Sequence, residues 1–182
     1  MSYKTVKCLT ALFSLFLSAC VSQPPDTPDF DKQQAAKARI ELGLGYLAQH
    51  NNELAKLNFD KALSYTPDYY LVHSALAYFY QQMGDVAQAE KSYIKAINLD
   101  GKQGDVYNNY GTFLCTQGKF EQAYKQFSVA LNSPDYYRQA DTYENMVLCA
   151  LSANDTVHYD ESMALLEKVA PERAWKLKSV KK

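Results

Sequence analysis

Gly104 to Asn132 reads GDVYNNYGTFLCTQGKFEQAYKQFSVALN, and this stretch decides the fold. Two apolar stripes run through it at helical spacing. Tyr107, Tyr110, Gly111 and Leu114 fall on one face of a first helix, and Phe120, Ala123, Phe127 and Ala130 on one face of a second. Gly118 sits between them and supplies the left-handed residue that ends a helix. The stretch is therefore a helix hairpin with small residues where two backbones meet closely. The same hairpin recurs upstream. Ala55, Ala89 and Ala123 are 34 residues apart, as are Phe59, Tyr93 and Phe127, and Ala62, Ala96 and Ala130. In the first helices Leu42, Leu76 and Tyr110 align, then Gly43, Ala77 and Gly111, then Tyr46, Tyr80 and Leu114. Repeats in register at a fixed interval describe a stack in which each hairpin contacts its neighbours.

The period, the small residue after a bulky one, and the Ala-x3-Phe/Tyr-x2-Ala series resemble the tetratricopeptide repeat. The expected fold is an all-α tetratricopeptide-repeat superhelix of about four helix hairpins. The repeats run about 36–69, 70–103 and 104–137, with a degenerate fourth at 138–170 in which the Ala-x3-Phe-x2-Ala series is not visible. The solenoid as a whole covers 31–170. Asp31 with Gln34 reads as the capping start of its first helix. Residues 171–182 read as a basic tail or capping helix, with Trp175 and Leu177 sealing the open end and Arg173 among the solvated cations. Fifteen tyrosines against one tryptophan fit an amphipathic spacer between hairpins.

The amino end has a different composition. Lys4 and Lys7 precede a short apolar run, CLTALFSLFL over 8–17, too short to span a bilayer and shaped like a secretory signal. Leu17-Ser18-Ala19-Cys20 then resembles the bacterial lipoprotein box. That resemblance implies cleavage of residues 1–19, a lipid on Cys20, and anchoring at the periplasmic face of the outer membrane, since the next residue is Val21 and not Asp. Residues 20–30 follow as lipidated cysteine and a proline-containing tether. The net charge is −1, which asks for no nucleic-acid partner.

Cys115 and Cys149 remain in an oxidising compartment and form a candidate disulfide. Strictly equivalent positions on adjacent first helices lie about 8–10 Å apart, beyond the roughly 7 Å limit for a disulfide. Altered spacing after Pro134 is able to rotate the fourth helix and close that gap. The alternative is two small buried residues.

No catalytic or metal-binding pattern is present. His50, His73 and His158 lie in different units, and there is no HExxH, paired CxxC, glycine-rich phosphate loop or nucleophile elbow. The reading is a non-enzyme with no cofactor, no metal and no small-molecule substrate. Binding is then the expected work, and in tetratricopeptide proteins the first helices line the inner groove. Carried over position by position, the candidate groove residues are Ile40, Leu44 and Leu47 in the first unit. The second unit contributes Leu71, Ser74, Tyr78 and Gln81, and the third Asn108 and Thr112. The groove grades from apolar to polar along the stack.

The lipoprotein box, the tether and the run Tyr107-Asn108-Asn109-Tyr110-Gly111-Thr112-Phe113-Leu114-Cys115 together resemble the type IV pilus biogenesis lipoproteins of the PilF/PilW type. Cys149, in VLCAL, resembles that family's second cysteine. The resemblance implies a pilotin, whose groove binds the type IV pilus secretin subunit and whose lipid holds it at the outer membrane. An envelope scaffold for peptidoglycan hydrolases or proteases is the alternative.

Overall fold

A computed structural model describes residues 31–180. The signal segment 1–19, Cys20, the tether 20–30 and the last two lysines lie outside the described residues. Among the described residues there are helices and no strands. Four antiparallel hairpins follow one another: α1 (Lys32–Ala48) with α2 (Asn52–Tyr65), α3 (Tyr70–Gln82) with α4 (Val86–Leu99), α5 (Gly104–Thr116) with α6 (Phe120–Leu131), and α7 (Gln139–Ala153) with α8 (Thr156–Val169). A ninth helix, α9 (Pro171–Val180), packs on α8. This is the tetratricopeptide superhelix that the 34-residue interval predicts.

The hairpin turns repeat a single backbone device. His50, Gly84, Gly118 and Asn154 all have positive φ, between 54° and 74°. The residue after each donates its backbone N–H to a carbonyl five positions back: Asn51 to Tyr46, Asp85 to Tyr80, Lys119 to Leu114 and Asp155 to Ala150. Carbonyls orphaned at the end of the first helix are thereby satisfied. Glycine fills the left-handed position in only two of the four turns. In three of them the next residue also caps the second helix. Asn51, Asp85 and Asp155 accept from the backbone N–H groups of Leu54, Gln88 and His158 at 3.0–3.1 Å. Asp31 caps α1 in the same way, accepting from Gln33 and Gln34. Asp155 thereby sets the start of α8 at Thr156.

The repeated small residues are contact points. Ala55, Ala89 and Ala123 are fully buried, as are Ala62, Ala96 and Ala130. A Cβ added to Gly43 would stand 2.6 Å from the Phe59 ring, and one added to Gly111 would stand 2.7 Å from Phe127. The first and second helices of a hairpin therefore touch backbone to ring at these positions. Between hairpins the packing is aromatic: Tyr93 of α4 stacks on Tyr110 of α5 with centroids 5.4 Å apart and leans on Phe113 at 5.5 Å. Burial, with the Glu90 carboxylate nearby, pushes the Tyr110 phenol up to about 12, so it remains a donor to Glu90. Leu42 is an exception among the aligned residues. It is exposed where Leu76 and Tyr110 are buried, and among the described residues no hairpin packs ahead of it.

The fourth hairpin is regular, but its interval is 36. The left-handed residue moves from Gly118 to Asn154 and the turn bond from Lys119 to Asp155. The buried series follows: Phe113 and Leu114 are matched by Cys149 and Ala150, and Phe127 and Ala130 by Met163 and Leu166. Two extra residues lie in the connection between α6 and α7, where Asp135 turns with φ 55°. Larger side chains replace the alanines, which is why a search for Ala-x3-Phe-x2-Ala misses this unit. At the far end α9 buries Ala174 and sets Leu177 against the last core cluster, while Trp175 stays 69% exposed. The seal at this end is Ala174 with Leu177, and the tryptophan takes no part in it.

Candidate protein-binding groove

The first helices α1, α3, α5, α7 and α9, with Tyr93 of α4, surround a cavity of about 530 Å³. Eight of the nine groove positions read from the sequence line it: Ile40 and Leu44, then Leu71, Ser74, Tyr78 and Gln81, then Asn108 and Thr112. Leu47 does not. It is 7% exposed and packs in the first core cluster with Phe59 and Leu76, because its place in the last turn of α1 turns it towards α2 and α3.

One end of the cavity is apolar. Leu44 and Tyr78 are 38% and 42% exposed, so they offer open apolar surface, and Ile40 and Leu71 stand beside them. The middle is polar and held in place. Tyr93 donates its hydroxyl to the Gln81 side-chain oxygen at 2.9 Å. Asn108, almost fully buried, accepts from the Asn145 amide at 3.1 Å, while its backbone carbonyl accepts from the Thr112 hydroxyl. Asn108 is too deeply buried to reach a partner itself; it fixes the half-buried Asn145 amide, which keeps donor and acceptor capacity for a peptide bond.

The other end is ionic, and sequence reasoning did not find it. Arg138 donates to Asp105 at 2.9 Å and to Asp141 at 2.6 Å. Arg173, on α9, donates to Asp141 at 2.7 Å and to Glu144 at 2.5 Å. Burial works to raise the Asp141 carboxyl, but the hydrogen bonds from Arg173 and Arg138 outweigh it and hold that group below its ordinary value. The same bonds raise both guanidiniums, for Arg173 against its own desolvation. Arg173 is thus part of the groove wall and not a solvated tail cation. A sequence signal for Arg138 existed in the two extra residues before α7; none existed for Arg173, whose partners lie about 30 positions back.

Cys115 and Cys149 form a disulfide with Cα atoms 5.7 Å apart. It joins α5 to α7, the two helices that carry the polar and ionic walls. Two extra residues turn a helix by about 200°. Cys149 therefore faces back towards α5, where an exact 34-residue equivalent would face onwards. Facing Cα atoms sit nearer than the helix axes by up to twice the roughly 2.3 Å helix radius, which removes the distance objection. Among the described residues no cluster of candidate metal ligands occurs and no helix is long and apolar enough to cross a membrane.

Comparison with known proteins agrees with this geometry. The family model for the tetratricopeptide repeat matches residues 72–103. An uncharacterized protein of Haemophilus influenzae is 54% identical over 170 residues, 93% of this chain and 94% of the relative. The type IV pilus assembly protein PilF of Pseudomonas aeruginosa is 33% identical over 164 residues, 86% of this chain and 65% of the relative. A solved structure of that PilF superposes with a TM-score of 0.71 at 32% identity, over 77% of this chain and 63% of the solved one. PilW, a type IV pilus biogenesis factor, shares the fold at TM-score 0.71 and 21% identity, over 79% and 66% of the two chains. The chain thus spans about two thirds of the length of the PilF it matches.

Proposed function

Because the chain is a tetratricopeptide-repeat protein of one family with the Haemophilus influenzae protein, and related to the type IV pilus assembly protein PilF, we propose that it is an outer-membrane lipoprotein that captures a protein partner in its groove. Most specifically, it acts as a pilotin for a type IV pilus secretin. The observation that carries the reading is the convergence of eight groove positions from three repeats on one cavity. Tetratricopeptide modules generally work by protein contact and not by catalysis, and this cavity offers apolar surface and anchored amides.

The mechanism needs no bond-making step. The groove holds a segment of the secretin subunit, and a diacylglycerol on Cys20 holds the complex at the inner leaflet of the outer membrane. Each buried methylene contributes about 0.8 kcal/mol, so two or more acyl chains anchor stably. Confinement to one surface raises the local concentration of bound subunits and favours ring assembly.

The test is affinity capture from detergent-solubilised envelopes, with the bound fraction identified by mass spectrometry. Secretin subunits should be enriched with the wild-type chain and lost when Tyr78 is replaced by arginine. Their absence, or capture indifferent to Tyr78→Arg, rejects the pilotin reading. Replacing Cys20 by alanine should release the protein into the soluble periplasmic fraction; continued outer-membrane fractionation would remove the anchor from the account.

A further inference from the structure

Five charged side chains at the α5–α7–α9 end of the groove form one alternating chain: Asp105, Arg138, Asp141, Arg173, Glu144. Asp141 sits in the middle and takes both guanidiniums. Each arginine is shared between two carboxylates. The terminal carboxylates, Asp105 and Glu144, each hold a single guanidinium, and so keep acceptor capacity that Asp141 has already used. Three carboxylates face two guanidiniums, so the chain carries one surplus negative charge and exposes acid at both ends. The members are accessible, with side chains 28–46% exposed.

From this charge pattern we propose that the groove selects a partner segment bearing a lysine or arginine beside an apolar residue. The inference rests on the groove being the protein-binding face. The apolar side chain enters between Leu44, Leu71 and Tyr78, and the half-buried amide of Asn145, held from beneath by Asn108, meets the segment's backbone. The cation extends the ladder at Glu144, the carboxylate end that lines the cavity. An acidic residue at the same place would meet a carboxylate end whose cation is already shared. This is the reverse of a groove that grips a partner carboxylate: here the arginines are spoken for within the protein, and the unfilled capacity belongs to acids. Like charges brought together in this way are a means of rejecting wrong partners.

Fluorescence anisotropy on the full chain in detergent, at about 10 mM salt where screening is weak, tests the idea with short labelled glycine-serine peptides. The probes carry leucine with lysine, leucine with glutamine, leucine with glutamate, or lysine alone. The expected order of affinity is lysine, glutamine, glutamate, with steps of roughly two- to five-fold, the range of a partly exposed ion pair. The lysine advantage should shrink at high salt and in Asp105→Asn and Glu144→Gln, while the leucine dependence survives in both variants. Asp105, half-exposed and outside the cavity lining, provides a variant that removes the ladder's surplus charge and leaves the α9 contacts intact. Equal binding of the lysine and glutamate peptides, or tighter binding of glutamate, overturns the charge preference and leaves the groove reading standing. Failure of every leucine peptide to bind rejects the groove reading and this inference with it.

Discussion

Cys149 lies 34 residues after Cys115, yet it occupies the repeat position of Phe113, and the two Cα atoms are 5.7 Å apart. The two-residue insertion before α7 brings the thiols face to face, and the bond closes a loop across the wall of the groove. In the chain-entropy account, a loop of this length stabilises the folded state by about 4 kcal/mol. Urea unfolding with and without reductant should show a loss of that size. Cys115→Ser should lose as much and become indifferent to reductant.

Gly111 and Gly45 predict opposite outcomes for one substitution. Alanine at either position gains about 1 kcal/mol of helix propensity. At Gly45 nothing lies within 4 Å of the added methyl, so Gly45→Ala should raise the melting temperature. At Gly111 the methyl stands 2.7 Å from the ring of Phe127, which is fully buried and cannot swing away. Overpacking of this kind costs about 1–3 kcal/mol, so Gly111→Ala should lower it.

His50 holds the left-handed turn position that glycine holds in the second and third hairpins. A side chain there costs roughly 1 kcal/mol relative to glycine. His50→Gly should raise stability by about 0.5–1 kcal/mol in denaturant unfolding, with little change in the far-ultraviolet circular dichroism.

These turns show what was legible in the sequence and what was not. The 34-residue interval carries the hairpins and the buried alanines, because regular spacing in the chain becomes regular stacking in space; the eight groove positions came from the resemblance to the tetratricopeptide repeat. The fourth unit was legible only as a blur. Its core uses Met163 and Leu166 where the others use Phe or Tyr and Ala, and a search at the wrong interval misses it. The Arg173 half of the ionic end was not legible at all, since Arg173 meets Asp141 and Glu144 only after α9 folds back onto the stack. Leu47 failed for a related reason: family position places a residue on a helix face, but the local packing of the last turn decides whether that face reaches the cavity.

Asp141 predicts the acid behaviour of the groove. Its folded-state carboxyl lies below its ordinary value, so its contribution is fully present above the unfolded value of about 4. The contribution is lost as pH falls through the lower folded value. The melting temperature should therefore drop as pH falls below about 4, and Asp141→Asn should flatten that drop while lowering stability at neutral pH. An unchanged acid profile in Asp141→Asn would show that Asp105 and Glu144 hold the arginines without it.

The central claim is that the face built by the first helices receives the partner. Photo-crosslinking in living cells tests it most directly, with a benzophenone amino acid placed at Tyr78 in the groove or at Leu57, exposed on α2. The account predicts a single high-molecular-weight adduct from position 78, containing the secretin, and none from position 57. Adducts from position 57 with none from position 78 would contradict it.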